Sequence, residues 1–549
     1  MNNIKTNVLF YLLIGLFFLV NVCVWNISLP EVLAHIEQLY AVPKHKFSVL
    51  VQFVNEVTWL KFKVALLLVS VLLGGIYFYR GHIFKQFYVS FKYCIGLLRE
   101  DFGRLKKFEK VFLLSFLFFF GVYLFWLSSE IYFQLDELNS WLYFVDRGIL
   151  VTASYYPSNN NHIGYNAISV FWNLFLEPSL AMRITSILSS LGVVAVLYLM
   201  LVRRYNFLSA CVGLLLVASF SCYTWYSIQG RGYMLEMLLL ILIFYFILKA
   251  KDRNVDNTLV VLSSYSLWIL PVAIIPLFVL GVVSFFIIRH DQFVFRRLSI
   301  VFLSVSSIAI LLYLPVFIFS DISVLYANPF VKHVSYTDAP RVLMSEYLPA
   351  LGMFLFGVEG LYVLFITVSI ISIALWMLVC RSYVIWYYIF IVLFLPALLF
   401  LFYPVFLFER IWLWLTIPLL FGVLEIFGFI MVQGNKFVII CVMFFLVTGS
   451  ICANFNQIQQ ARKDLKERAF QLEELRQCSS KNGVNTIRID SDILYTYFRY
   501  YQKTSNFQIL YGVENAQPKE YILLAPYESP PLGGILIKGN AIGKLYKLQ

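Results

Sequence analysis

Long apolar runs, many of them about 18 residues or more, recur along the chain between short basic or polar segments, and this spacing predicts about thirteen membrane-spanning helices. They fall at residues 8–26, 62–79, 111–128, 181–202, 206–224, 232–249, 257–270, 271–288, 298–319, 360–380, 382–402, 411–431 and 437–453. The runs at 257–270 and 271–288 are short enough to fit one bent span instead. Backbone groups in lipid must bond within their own segment or a closed barrel, and these runs are too continuous for alternating barrel strands. The segment 7–25 follows only Lys5 and resembles a signal peptide in outline. No small-x-small cleavage site follows it, so it reads as an uncleaved first span. After residue 453 the pattern changes. Gln457 to Arg476 predicts an amphipathic helix, and short strand-like runs (NTIRI, FQILYGV, EYILLA, GILIKG, KLYKL) surround a helix at Ile493 to Gln502.

The expected fold is thus a polytopic α-helical membrane protein with a small C-terminal α/β domain. Its parts are an N-terminal hairpin with a basic cytoplasmic segment (1–109), a membrane core (110–453) with a loop at 129–180, and a soluble domain (454–549). The stretch Arg80 to Lys110 interleaves aromatics with Lys and Arg and suits a helix lying on the cytoplasmic surface. Within 129–180, WLYFVDRGIL and HIGYNAISVFWNLFL are too short to span and fit interfacial helices, with a turn at Pro157 to Asn161 between them.

Composition agrees. The 549 residues are 61% hydrophobic and only 13% charged, against roughly 25% charged in soluble proteins. The net charge of +12 sits mostly in short inter-span loops, which assigns it to topology and anionic headgroups rather than nucleic acid. Arg104, Lys106, Lys107 and Lys110 precede the span at 111–128 and place its start on the cytoplasmic side. The loop 129–180, the loop 320–359 and the tail of this multi-pass chain then face outward. The eight cysteines show neither CxxC nor paired spacing, so no disulfide framework or zinc site is indicated.

The candidate chemistry lies on that outer face. Asp136-Glu137 follows a membrane exit and is embedded in apolar residues, where a carboxylate meets lipid-borne substrates. An interfacial anchor or a helix N-cap would use the same pair. Asn161 and His162 lie in PSNNNHIGYN of the same loop. Arg231 and Tyr233 lie in QGRGY between two spans, and Arg410 starts a late span after Glu409. The loop at 320–359 adds Lys332, His333, Arg341 and Glu346. Arginine is always charged and binds phosphate bidentately. Asp490-Ser491-Asp492 spells a metal-binding DxD but precedes a helical run, where Asp and Ser act as caps.

A membrane exit followed by Asp-Glu, an NNH-containing interfacial loop, an outer Arg-Gly-Tyr and a late Glu-Arg before a span containing Pro418 resemble the GT-C glycosyltransferases. Within them the pattern is most similar to bacterial protein O-mannosyltransferase-like and aminoarabinose (lipid A) transferase-like members, families 39 and 83, over roughly 110–453. The helix pair before residue 110 departs from that pattern, and the segment after the acid pair spells no one subfamily's motif. The resemblance implies a transferase taking a sugar from a polyprenyl-phosphate donor to a glycolipid, protein or polysaccharide acceptor, with inversion. Asp136 is then the catalytic carboxylate and Glu137 its companion; Arg231, Arg410 and Lys332 meet the lipid phosphate, with Asn161, His162 and Tyr233 lining the substrate. A divalent metal beside Asp136 stays open, and no nucleotide motif is present. A transporter or flippase, an O-antigen ligase or polymerase, and a non-catalytic assembly protein remain the competing readings.

Overall fold

A computed structural model describes residues 22, 24–31, 33, 55–157, 160–249, 253–289, 292–319, 332–356, 394–433, 436–481, 486–489, 491–502, 508–511, 520–528, 531 and 534–548. The expected spans at 8–26 and 360–380, and much of 382–402, lie mainly or wholly outside these residues. Among the described residues, Lys107–Glu130, Pro178–Arg204, Pro271–Ile288 and Val294–Phe319 are long and apolar enough to cross a membrane. A fifth crossing is available if the bent pair Phe207–Ser219 and Ser221–Ser227 forms one span.

Helix Pro178–Arg204 is the centre of the bundle: 72% of its apolar window is buried, against 17% for Val294–Phe319 at the periphery. Its inward face is small and polar, as suits helices that associate by close packing rather than by a hydrophobic drive. Tyr223 donates to the Ser190 carbonyl at 2.8 Å, and the Ser227 and Ser190 hydroxyls are 2.8 Å apart. Peripheral side chains such as Phe118, Phe119 and Phe302 stay exposed, as a lipid-facing surface requires.

Two elements of the bundle differ from the sequence-based expectation, and the pair at 257–288 follows it. The span at 206–224 is broken at Phe220 by a 71° bend. The break is tolerated because side chains take up the freed carbonyls: Ser219 donates to Leu216 at 2.8 Å, Thr224 to Ala218 at 2.9 Å and Asn454 to Ala218 at 3.2 Å. The basic stretch after residue 80 is no separate surface helix; it continues one helix, Glu56–Gly103, which contains no proline to stop it. This helix is tied into the bundle. The Ser90 and Thr258 hydroxyls are 2.8 Å apart, and buried Asp101 accepts from Arg203, from Lys249 at 2.6 Å and from Tyr245 at 2.7 Å. The runs at 257–270 and 271–288 form separate helices, Asp256–Ile269 and Ile274–Ile288, joined by a 3-10 turn at Pro271.

The last apolar run does not end at residue 453. Lys436–Lys481 is one helix of 46 residues that leads from the bundle into the tail. The tail holds a five-stranded sheet with β3 (Thr486–Ile489), β4 (Gln508–Tyr511), β5 (Tyr521–Leu524), β6 (Gly534–Gly539) and β7 (Lys544–Leu548) in the order β4-β3-β5-β7-β6. β3 pairs parallel with β4 and β5, while β7 is antiparallel to β5 and β6. The tail helix Asp492–Gln502 puts Leu494 and Phe498 into the core beside this sheet. A hairpin of β1 (Lys332–His333) and β2 (Val405–Phe406) joins the loop before residue 360 to the segment before Arg410.

Candidate active site

The loop after helix Lys107–Glu130 folds into short helices, Leu135–Tyr143, Ile149–Ser154 and Ile163–Trp172. They are more broken than the two expected interfacial helices. Gly148 sits at φ +88°, where a residue with a Cβ is disfavoured, and separates the 3-10 turn Val145–Arg147 from the next helix. Ile149, Leu150, Leu174 and Phe175 remain exposed along this layer.

The acid pair divides its work. Glu137 is 1% exposed and fully engaged. Arg183 grips it with Nε on Oε1 at 3.0 Å and Nη2 on Oε2 at 2.6 Å, and the amides of Gln134 and Gly230 donate to it as well. The Gln134 contact closes a capping box in which Gln134 is the N-cap and Glu137 the N3 partner, so of the acid pair it is Glu137 that serves the helix start. Arg183 also donates to the carbonyls of Ser128 at 2.6 Å, Ile131 at 2.8 Å and Tyr132 at 3.1 Å. These include acceptors left at the C-terminal end of the preceding helix. Arg183 was absent from the sequence-derived candidates; its signal was a lone charge inside an otherwise apolar run, SLAMRITS.

Asp136 points the other way, with 45% of its side chain exposed. Its Oδ2 lies 2.9 Å from Arg410 Nη1 and 3.4 Å from Arg231 Nη1. Its Oδ1 has no hydrogen-bond partner among the described residues. Residues 136, 231 and 410, far apart in the chain, therefore meet.

The QGRGY turn explains itself sterically. A Cβ on Gly230 would lie 2.6 Å from Met182 Cβ, and one on Gly232 would lie 2.5 Å from Ile269 Cγ2 and 2.9 Å from His162 Nδ1. Only glycine at both positions lets the backbone between them press Arg231, 3% exposed, into the site. Arg231 donates to Asn160 Oδ1, places Nη2 3.0 Å from His162 Nε2, and leaves its buried Nε without a partner. His162 Nδ1 accepts from the Gly232 amide at 2.9 Å. A neutral ring has one acceptor nitrogen, so with Nδ1 taking the Gly232 amide its Nε2 carries the proton and only packs against the Arg231 guanidinium; a doubly protonated ring would lose the Gly232 bond as well. Burial first, then the charges of Arg231 and Arg410, hold the His162 pKa well below its usual value. Tyr233 packs edge-on against His162 and Tyr226.

Two expected substrate residues are engaged elsewhere. Asn161 is buried and staples its own loop, donating to Thr152 and Tyr155 carbonyls at 2.9 Å each and accepting from Asn166 at 2.9 Å. Lys332 is exposed and pairs with Glu346 at 3.0 Å. Among the described residues no group of three or more His, Cys, Asp or Glu is placed to hold a metal ion. Asp490 lies outside the described residues; the Leu494 amide donates to Ser491 Oγ at 3.5 Å at the start of the tail helix, which is the capping arrangement expected of it.

No protein-family model and no curated relative matches the sequence. Two solved structures are similar. ArnT from Cupriavidus metallidurans bound to undecaprenyl phosphate is 13% identical, with 80% of this chain and 97% of that chain covered and a TM-score of 0.47. The apo state of the same protein is 12% identical, with 70% and 87% covered and a TM-score of 0.42.

Proposed function

We propose that this protein is a membrane glycosyltransferase that moves a sugar from a polyprenyl-phosphate donor to a hydroxyl of a glycolipid, protein or polysaccharide, on the outer face of the membrane. One observation carries the reading: Asp136, its side chain 45% exposed, has one oxygen held between Arg231 and Arg410 and the other without a partner among the described residues. That second oxygen is suited to take the proton of an incoming hydroxyl. The two guanidiniums are suited to the charge that develops on a leaving lipid phosphate. In the reaction the acceptor oxygen bonds to the anomeric carbon, the bond from that carbon to the phosphate oxygen breaks, and the proton passes to Asp136. Attack opposite the leaving group inverts the anomeric centre.

Glu137 then serves as a positioning residue, since its hydrogen bonds leave it no role as a base. His162, as a neutral ring, keeps its hydrogen bond from the Gly232 amide and packs against Arg231. The outward orientation is supported by the opposite ends of the helices. Arg183 at the start of Pro178–Arg204 lies at the site, while Arg203 at its end joins Lys249 on Asp101. That basic end fits the cytoplasmic side.

The test is transfer from a polyprenyl-phosphate sugar by the purified full chain. Asp136→Asn is expected to lower kcat by about 10²–10⁴-fold with intact expression. Undiminished transfer removes Asp136 from the mechanism.

A further inference from the structure

We propose that the tail helix Asp492–Gln502 is a positioning element for the reaction: docked on helix Leu135–Tyr143, it keeps Asp136 in register with Arg231 and Arg410. The inference rests on the reading of Asp136 as the base.

Helix Leu135–Tyr143 has nine residues, far below the length at which a helix holds itself in water. Its place depends on neighbours. One side is fixed from within the bundle by Glu137 on Arg183 and by the Trp141 indole, which donates to Asn173 Oδ1 at 2.8 Å. The other side is covered by the tail. Tyr500 packs edge-on against Phe133 at 5.9 Å and Trp141 at 5.6 Å between ring centroids. Tyr497 stacks on Tyr132 at 6.1 Å, and the Tyr132 and Tyr501 hydroxyls are hydrogen-bonded. Thr496 donates to Asn139 Oδ1 at 3.2 Å. The Arg499 guanidinium lies 5.8 Å from the centre of the Tyr143 ring.

The tail helix is therefore two-faced. Leu494 and Phe498 belong to the core of its own sheet, while Tyr497 and Tyr500 join the cluster of Phe133, Leu138, Trp141 and Met182. The coupling reaches the site through few bonds. Tyr132, held by the tail through its ring, gives its carbonyl to Arg183, and Arg183 holds Glu137, the neighbour of Asp136. Glu130, where the preceding helix ends, is pinned by Arg462 and by Lys466 at 2.6 Å, both on the long helix that carries the tail. A misplacement of about 1 Å at a reacting group costs on the order of 10²-fold in rate, so a tail that sets this helix also sets turnover.

The test uses the full chain in nanodiscs. Tyr500→Ala is expected to speed amide hydrogen exchange in 132–143 but not in 186–200. It should also lower kcat about 10–100-fold, with the donor KM within about twofold. A second variant guards against misfolding. Asn139→Cys with Thr496→Cys removes the hydrogen bond when reduced, and kcat falls; oxidation to the disulfide restores the docked geometry, and kcat recovers. Faster exchange without a change in kcat overturns the proposal. So does a kcat loss matched by a rise in donor KM, or a disulfide form less active than the reduced one. Failure of the base reading shows separately, as transfer retained in Asp136→Asn with the tail intact.

Discussion

Arg183 and Glu137, 46 residues apart in sequence, meet through two parallel hydrogen bonds in a place almost sealed from solvent. The same guanidinium collects three backbone carbonyls at and just past the end of the preceding helix, so one side chain fixes both the helix exit and the start of the loop that carries Asp136. Removing one partner of such a pair strands a buried charge. Glu137→Ala is expected to destabilise the fold by about 3–5 kcal/mol, read as a fall in detergent-solubilised melting temperature. Arg183→Lys should fail as well, because an ammonium cannot reproduce the fork. A melting temperature unchanged in Glu137→Ala would contradict this account.

Gly230 and Gly232 differ in what an added methyl meets. At Gly230 it runs into Met182 Cβ, which moves only with its backbone; at Gly232 it meets the Ile269 methyl and the His162 ring. Overpacking of this kind costs about 1–3 kcal/mol or more. Gly230→Ala is expected to be the more damaging in thermal melts. Gly232→Ala should keep more stability yet lose transfer activity by displacing His162. Adding Ile269→Ala, which removes the methyl in the way, to Gly232→Ala should return part of that activity.

Arg410 is the more accessible of the two arginines, with 30% of its side chain exposed. It is therefore the one free to follow a phosphate. Arg410→Ala is expected to weaken the donor interaction about tenfold or more, 1.4 kcal/mol per decade, measured as kcat/KM against donor concentration. Lys332→Ala, by contrast, removes only an exposed pair with Glu346 and should change kcat/KM by less than about threefold. A large loss on Lys332→Ala would bring that loop into the site.

The sign of the pH effect follows from His162. Its folded pKa lies below the unfolded value of about 6.5, so protons bind the unfolded chain more readily in this window. The stabilising contribution is present above pH 6.5 and is lost as the pH falls toward the folded value. Melting temperature and transfer should both decline on acidification from about pH 7.5 to 5.5. His162→Asn should flatten that dependence in the melts.

Much of this architecture is legible in the chain before any coordinates. Apolar length marks where the long helices lie, four or five of which can cross a membrane among the described residues, and the strand-like runs in the tail become β3 to β7. Asp136, Arg231 and Arg410 carry charge where a helix meets an interface, which is costly without a use. What the pattern hides is partnership. Glu137 looks the same as Asp136 in sequence, and only the fold reveals that Arg183 occupies it. Asn161 reads as a ligand because loop asparagines often are, whereas here the loop's own carbonyls take it. The parallel pairing of β3 with β4 and β5, and the seating of tyrosines 497 and 500 on Phe133 and Trp141, depend on long-range contacts that periodicity does not encode.

The helix Lys436–Lys481 has a mechanical corollary. Its 46 residues extend roughly 70 Å, and its apolar first part, at 437–453, is followed by the far part that holds the tail. Hydrophobic mismatch tilts or shifts a spanning helix at a cost per ångström. If the proposed placement of 437–453 in the lipid holds, such a displacement would be carried along the helix to the tail, and under the proposed function lipids of longer or shorter chain would change turnover without touching the substrate.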